Sequence, residues 1–142
     1  IIGIKEAAND SIARCIQFKQ LCGEDFILLS GDDASFVEFI ISGGMGVISV
    51  TANVLPSIIS KICNLAVSKN LDNVAEARSL NLKLDKLHKA LMIESNPIPV
   101  KWLLSYLGKI QGSCRLPLTN LSDQYHSIVL DAYQYKKGNV TL

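Results

Sequence analysis

Apolar and polar positions along this chain follow two regimes. In the first fifty-odd residues, short apolar runs of strand length alternate with stretches at helical spacing. Residues 1–4, Ile1-Ile2-Gly3-Ile4, are a strand-like run. A capping cluster, Asn9-Asp10-Ser11, then opens a helix with Ile12, Cys15, Ile16 and Lys19 at spacings of three and four, and Gly23 stops it. Phe26-Ile27-Leu28-Leu29 carries no polar alternation, the pattern of a strand buried on both faces, and ends at Ser30-Gly31-Asp32-Asp33. A second helix is predicted over 34–41, closed by Gly43-Gly44, and a third strand over 46–51.

Strands alternating with helices predict right-handed crossovers and a parallel sheet. Three strands leave edges that nothing later in the chain can pair, so the isolated chain is expected to associate or aggregate. From Pro56 the regime changes and no strand pattern returns. Ile58, Ile59, Ile62, Leu65 and Ala66 predict one helix, and Val74, Ala77, Leu80, Leu84, Leu87 and Leu91 a longer one over 72–93. Asn96-Pro97-Ile98-Pro99 breaks it, a further helix runs over 100–107 to Gly108, and the last covers 122–135 before a fraying tail.

The expected class is therefore α/β: three βα units over 1–55, then an all-helical extension over 56–142. Composition sharpens this by exclusion. Of the 142 residues, 49% are hydrophobic, too many for a disordered segment. Fourteen basic side chains face thirteen acidic ones, so no long-range field points to nucleic acid or an anionic membrane. The longest weakly charged stretch, 39–60, is broken by Gly43, Gly44, Gly46, Asn53 and Pro56 and does not read as a membrane span. Cys15, Cys22, Cys63 and Cys114 form no C-x-x-C pair and lie far from His88 and His126, so no metal site is expected and buried free thiols in a reducing compartment are the plainer reading. The N-x-S/T triplets at Asn9, Asn120 and Asn139 read as chance without a secretory context. Because the chain opens at Ile1 and not at methionine, it reads as cut from something longer, and the lack of a leader carries no weight.

Lys5 is the most informative residue. It stands at the C-terminal end of an apolar strand, where parallel α/β folds place their chemistry. Partial desolvation there would lower its pKa and free a neutral amine for a Schiff base. The plainer alternative is a strand-end lysine paired with Glu6 or simply solvated. At the end of the second strand, Gly31 permits close approach and the neighbouring N–H groups could hold a carboxylate, while Asp32 and Asp33 read as helix caps. Gly43-Gly44-Met45-Gly46 precedes a strand, the wrong order for a dinucleotide loop. His88 and His126 read as packed or surface residues, and Trp102, Tyr106, Tyr125, Tyr133 and Tyr135 as helix packing.

Together these segments resemble the C-terminal half of the dihydrodipicolinate synthase family. The resemblance rests on Gly3-Ile4-Lys5-Glu6-Ala7, on Leu28-Leu29-Ser30-Gly31-Asp32-Asp33, on 46–54 and on 94–102, with Arg115-Leu116-Pro117-Leu118-Thr119 as a weaker fifth stretch. The first motif is shared by pyruvate-dependent aldolases at large; the third and fourth point more narrowly. The resemblance implies the last three strands of a (β/α)₈ TIM barrel with a helical extension. It implies that Lys5 condenses with pyruvate and that the enamine attacks aspartate semialdehyde, giving 4-hydroxy-tetrahydrodipicolinate for lysine and diaminopimelate biosynthesis. It further implies main-chain contact of Ile48 with pyruvate, Gly31 on the pocket wall, no metal or organic cofactor, a homotetramer built as a dimer of dimers, and a cytoplasmic enzyme.

The family's proton-shuttling tyrosine, the threonine pair that orients it, the arginine that meets the second substrate and the lysine inhibitor site would all belong to strands preceding Ile1. A barrel of this class needs about 250 residues, so the chain reads as a fragment whose Lys5 could form an imine without efficient turnover. Two other readings compete with this one. A sialic-acid or ketodeoxygluconate lyase relative would share Lys5, but 96–101 argues against it. A non-catalytic half-barrel module would serve only in assembly.

Overall fold

The computed structural model describes residues 1–139, with side chains through Gln134. The last helix continues to Asn139, four residues past its expected end, where a fraying tail is predicted; residues 140–142 and the side chain of Tyr135 lie outside the described residues. Three parallel strands, β1 (Gly3–Glu6), β2 (Ile27–Ser30) and β3 (Gly46–Val47), form one sheet in the order β1-β2-β3, with Lys5 opposite Leu29 and Ser30 opposite Val47. Helices α1 (Ser11–Cys22) and α2 (Phe36–Ile41) connect them. From Pro56 onward the described residues are helical or loop: α3 (Pro56–Val67), α4 (Leu71–Leu82), α5 (Asp85–Ala90), α6 (Ile98–Tyr106) and α7 (His126–Asn139).

The strands differ from expectation at their ends. β1 starts two residues later than predicted, because β2 offers no strand residue opposite Ile1 and Ile2, and both isoleucines are exposed. The expected burial of β2 on both faces does not hold: Leu28 and Ser30 are buried, while Ile27 and Leu29 are only half-buried. The sheet is covered on one face alone. β3 is the largest departure, two residues in place of six. Ile48 N–H still donates to Ser30 O at 2.8 Å, but the amides of Val50 and Thr51 turn to the Asp33 carboxylate at 3.0 and 2.9 Å. Those donors can no longer extend a ladder, and the chain bends into a 3₁₀ turn at Thr51–Asn53.

α1 ends at Gly23 (φ 84°) as predicted, yet it is rolled so that Ser11, Cys15 and Phe18 face the sheet and Ile12 and Ile16 are exposed. The long helix expected over 72–93 is two helices. They break at Lys83 and Leu84, and the bend sends Leu84 into one core cluster and Leu87 into the next. α6 begins two residues earlier than expected, since Pro97 and Pro99 sit at the cap and in the first turn, where a missing N–H costs nothing.

A small cluster of Cys15, Leu28 and Phe39 backs the sheet, and two large cores hold the helices. One joins Phe36, Val37 and Ile40 of α2 to Ile58, Ile59, Ile62 and Ala66 of α3, with Ala77 and Leu84. The other gathers Leu87, Leu91, Leu103, Leu121 and Val129, with Trp102, Tyr125 and Tyr133 at its margin. Trp102 stacks on His126 (centroids 4.3 Å apart) and on Tyr106 (5.7 Å), the packing roles expected for them. All four cysteines are free, but only Cys15 is buried; Cys22 is exposed. No helix among the described residues is long and apolar enough to cross a membrane.

Candidate active site

The pleat sends neighbouring residues of β1 to opposite faces. Glu6 points into the helical layer, where it is buried and bound by Arg14 Nε at 2.6 Å and by Ala8 N–H at 2.8 Å. The Arg14 hydrogen bond holds the Glu6 carboxyl below the ordinary carboxylate value. Lys5 points the other way, onto the uncovered face of the sheet. It is exposed and makes neither hydrogen bond nor ion pair among the described residues. The pairing of Lys5 with Glu6 is thereby excluded, and so is partial desolvation of Lys5 within the described chain: the solvated alternative describes its surroundings.

Gly31 is pressed against that lysine. A β-carbon built there would lie 2.6 Å from Lys5 Cε and 2.7 Å from Ala7 Cβ, so only glycine fits without a shift. Its N–H donates to Glu6 O at 2.7 Å, and the Asp32 N–H lies 3.2 Å from Ser30 Oγ. The amides expected to hold a carboxylate are therefore already engaged in holding the loop. Asp32 holds the turn ahead of α2, accepting from Ser35 N–H at 2.8 Å and Ser35 Oγ at 2.6 Å. The cap position is Ser35 itself, which makes no side-chain capping bond, so the expected capping of the helix by an aspartate is not found. Asp33 instead bridges to the loop after β3.

Lys5 and Gly31 share a cleft of about 260 Å³ with Asp32, Asp33, Val50 and His88, among others. Ile48 is not among the residues lining it; it stands half-exposed just beyond β3. Its N–H is committed to Ser30 O, which leaves the carbonyl as its free main-chain group.

Sequence reasoning missed the polar cluster at the back of this cleft. His88, buried on α5, places Nδ1 2.8 Å from Thr51 Oγ1 and Nε2 3.1 Å from Asn81 Oδ1. Asn81 Nδ2 donates to Asp33 O at 3.3 Å and Ala34 O at 3.2 Å. Burial pushes the His88 imidazole below its ordinary value, and Asp33, Asp85 and Asp32 oppose that shift. A signal was available: Asn81 and His88 occupy the same stripe as Ala77, Leu84 and Leu91, two polar residues on a face that should be apolar. Among the described residues no three His, Cys, Asp or Glu side chains gather as a metal site would require.

The dihydrodipicolinate synthetase family pattern matches residues 1–135. The chain is 49% identical over 134 residues to the 4-hydroxy-tetrahydrodipicolinate synthase of Cellvibrio japonicus, covering 94% of this chain and 45% of that protein. Among solved structures it is similar to the dihydrodipicolinate synthase of Acinetobacter baumannii, a chloride-inhibited form complexed with pyruvate, with 39% identity and a TM-score of 0.89 over 96% of this chain and 46% of that one. The synthase from Aquifex aeolicus superposes with the same TM-score at 33% identity, over 100% of this chain and 46% of its own. The chain thus spans less than half the length of the relatives it matches. A family pattern covering nearly every residue, close identity and a shared backbone agree: this chain belongs to the dihydrodipicolinate synthetase family.

Proposed function

We propose that this chain supplies the Schiff-base lysine and part of the pyruvate pocket of a 4-hydroxy-tetrahydrodipicolinate synthase. The observation that carries the reading is the placement of Lys5. Its unpaired amine stands at the C-terminal end of a parallel strand, in a cleft, against a glycine that no larger residue could replace without displacing it. In this reading residues 1–55 are the last three βα units of a TIM barrel and 56–142 its helical extension. The remaining strands would cover the open sheet face and desolvate Lys5.

The chemistry follows from the amine. The neutral Lys5 Nζ adds to the pyruvate carbonyl, and loss of one water leaves an imine. Protonated, that imine draws electrons from the methyl carbon, whose proton departs to give an enamine. The enamine carbon then bonds to the aldehyde carbon of aspartate semialdehyde, and the aldehyde oxygen takes up a proton. The Ile48 carbonyl, an acceptor, suits the N–H of the protonated imine or the hydroxyl that precedes it; it does not suit the pyruvate carboxylate. Gly31 keeps the wall beside Lys5 open. The proton relay for turnover would lie in the part of the barrel outside this chain. No metal or organic cofactor enters this reading, which takes the assembly to be a homotetramer in the cytoplasm.

Pyruvate with borohydride, followed by peptide mapping, tests the reading. A reduced adduct on Lys5, absent in Lys5→Met and strongly reduced in Gly31→Ala, is expected from the chain alone or once an N-terminal half from a relative is added. Absence of label in both preparations overturns it and leaves the assembly module. Labelling that prefers a different 2-oxo acid would move the reading to another aldolase.

A further inference from the structure

The cluster at the back of the cleft determines its own proton positions. Asn81 Nδ2 faces two backbone carbonyls, which can only accept, so Asn81 Oδ1 must be the atom turned to His88. An amide oxygen also only accepts. His88 Nε2 therefore carries the hydrogen. In the neutral ring Nδ1 is then bare, and Thr51 Oγ1–H donates to it across 2.8 Å. The imidazole is thus held as one tautomer by one donor and one acceptor, both buried.

What the ring joins is more telling. Asn81 hangs on the β2–α2 loop through Asp33 O and Ala34 O, two and three residues beyond Gly31. Thr51 belongs to the loop after β3, three residues beyond Ile48. The Asp33 carboxylate ties the same two loops directly through Val50 and Thr51 N–H. His88 closes this circuit from the helical part of the chain, far from either loop in sequence.

We propose that His88 is a positioning residue. As the Nε2–H tautomer it clamps Asn81 to Thr51, and so fixes the two loops that carry Gly31 and Ile48 relative to Lys5. This deepens the Schiff-base reading of the site and rests on it. It also gives the helical extension a task in the site itself: that part of the chain supplies both Asn81 and His88.

Two variants separate this role from plain packing. His88→Leu fills space and removes both hydrogen bonds. His88→Gln retains an acceptor and a donor on either side of one carbon, as the neutral imidazole does across Cε1, and should restore the clamp. In trapping with pyruvate and borohydride, His88→Leu is expected to raise the half-saturating pyruvate concentration about tenfold, the effect of one lost buried hydrogen bond. Full labelling at saturation should persist, and His88→Gln should recover most of the loss. An unmoved half-saturation in His88→Leu, or a glutamine variant no better than leucine, overturns the proposal. Should the leucine variant fail to fold, Thr51→Val removes the hydroxyl at constant shape and is expected to show the same shift; no shift overturns it.

Wild-type chain that traps no pyruvate, either alone or with an added N-terminal half, would strike the Schiff-base reading, and amide exchange then decides the clamp by itself. The Gly31 and Ile48 N–H groups, bonded to Glu6 O and Ser30 O, should exchange slowly. Exchange should quicken in His88→Leu and slow again in His88→Gln; equal rates in all three overturn the proposal. Nitrogen-15 spectra of His88 must also show hydrogen on Nε2, and the opposite tautomer refutes the assignment.

Discussion

Leu28, on the covered face of the sheet, shares its buried cluster with Cys15 and Phe39 alone, whereas Ile62 on α3 sits in a cluster of nine. The sheet residues turned the other way, Leu29 and Lys5, are half-buried and exposed. A parallel sheet is ordinarily covered on both faces, and this one is covered on one. Helices account for most of what holds the chain together, and the sheet presents the lysine to which the proposed chemistry falls. The proposed reactive group and the packing lie in different regions, and substitutions should separate them.

The sharpest separation compares two aliphatic side chains. Ile62→Ala empties a fully buried site and should cost about 2–5 kcal/mol. Leu29→Ala, half-buried on the uncovered face and outside the buried clusters, should cost less, about 1–2 kcal/mol, because water already reaches part of what it loses. Urea midpoints with unchanged slopes would measure both. Equal costs would mean that the open face is covered in solution, by another copy of the chain or by the rest of a barrel.

What the sequence showed and what it hid divide along physical lines. The order of elements was legible because strand-length apolar runs and helical spacing are local properties; what was misplaced was their ends and one break within a helix. β3 was overestimated because Val50 and Thr51 give their amides to Asp33, seventeen and eighteen residues away, a competition no local pattern shows. The long helix was overestimated because its apolar stripe runs on through the break at Leu84, serving two cores in turn. In the site, Lys5 and Gly31 could be picked out by their position at strand ends. Asn81 and His88 left a trace as polar residues on an apolar stripe, but what they reach could not be read, since Thr51 lies thirty-seven residues from His88 and Asn81 reaches carbonyls forty-seven and forty-eight residues away.

Acid should undo the two regions in sequence. A buried, neutral His88 binds its proton less readily in the fold than in the unfolded chain, so stability should begin to fall as the pH drops below the ordinary imidazole value of 6.5. Asp33, Asp85 and Asp32 soften this loss by favouring the charged ring. Glu6, on the covered face, has the depressed carboxyl. Its contribution is complete above the ordinary value of 4.5 and is lost as the pH falls through its lower value in the fold. Thermal midpoints followed from pH 8 to 3 should fall in two stages, with His88→Gln removing the first and Glu6→Gln reducing the second, to which the Arg78-paired Glu38 also contributes. A single stage, unaffected by the His88 substitution, would mean that the ring is charged or solvated.

The smallest effect concerns the surface tie between the two regions. Arg78 of α4 holds Glu38 of α2 with two hydrogen bonds, Nε to Oε1 at 2.6 Å and Nη2 to Oε2 at 2.8 Å. The pairing lowers the Glu38 carboxyl below its ordinary value. Both side chains are close to half-exposed (53% and 43%), so water and salt take up most of the Coulomb gain. Arg78→Ala should therefore cost only about 0.3–1 kcal/mol in dilute buffer, and less in molar salt. A loss comparable to that of Ile62→Ala would contradict the division argued here. It would mean that α2 is held to the helices by its charged rim, with Phe36, Val37 and Ile40 contributing little despite their burial against α3.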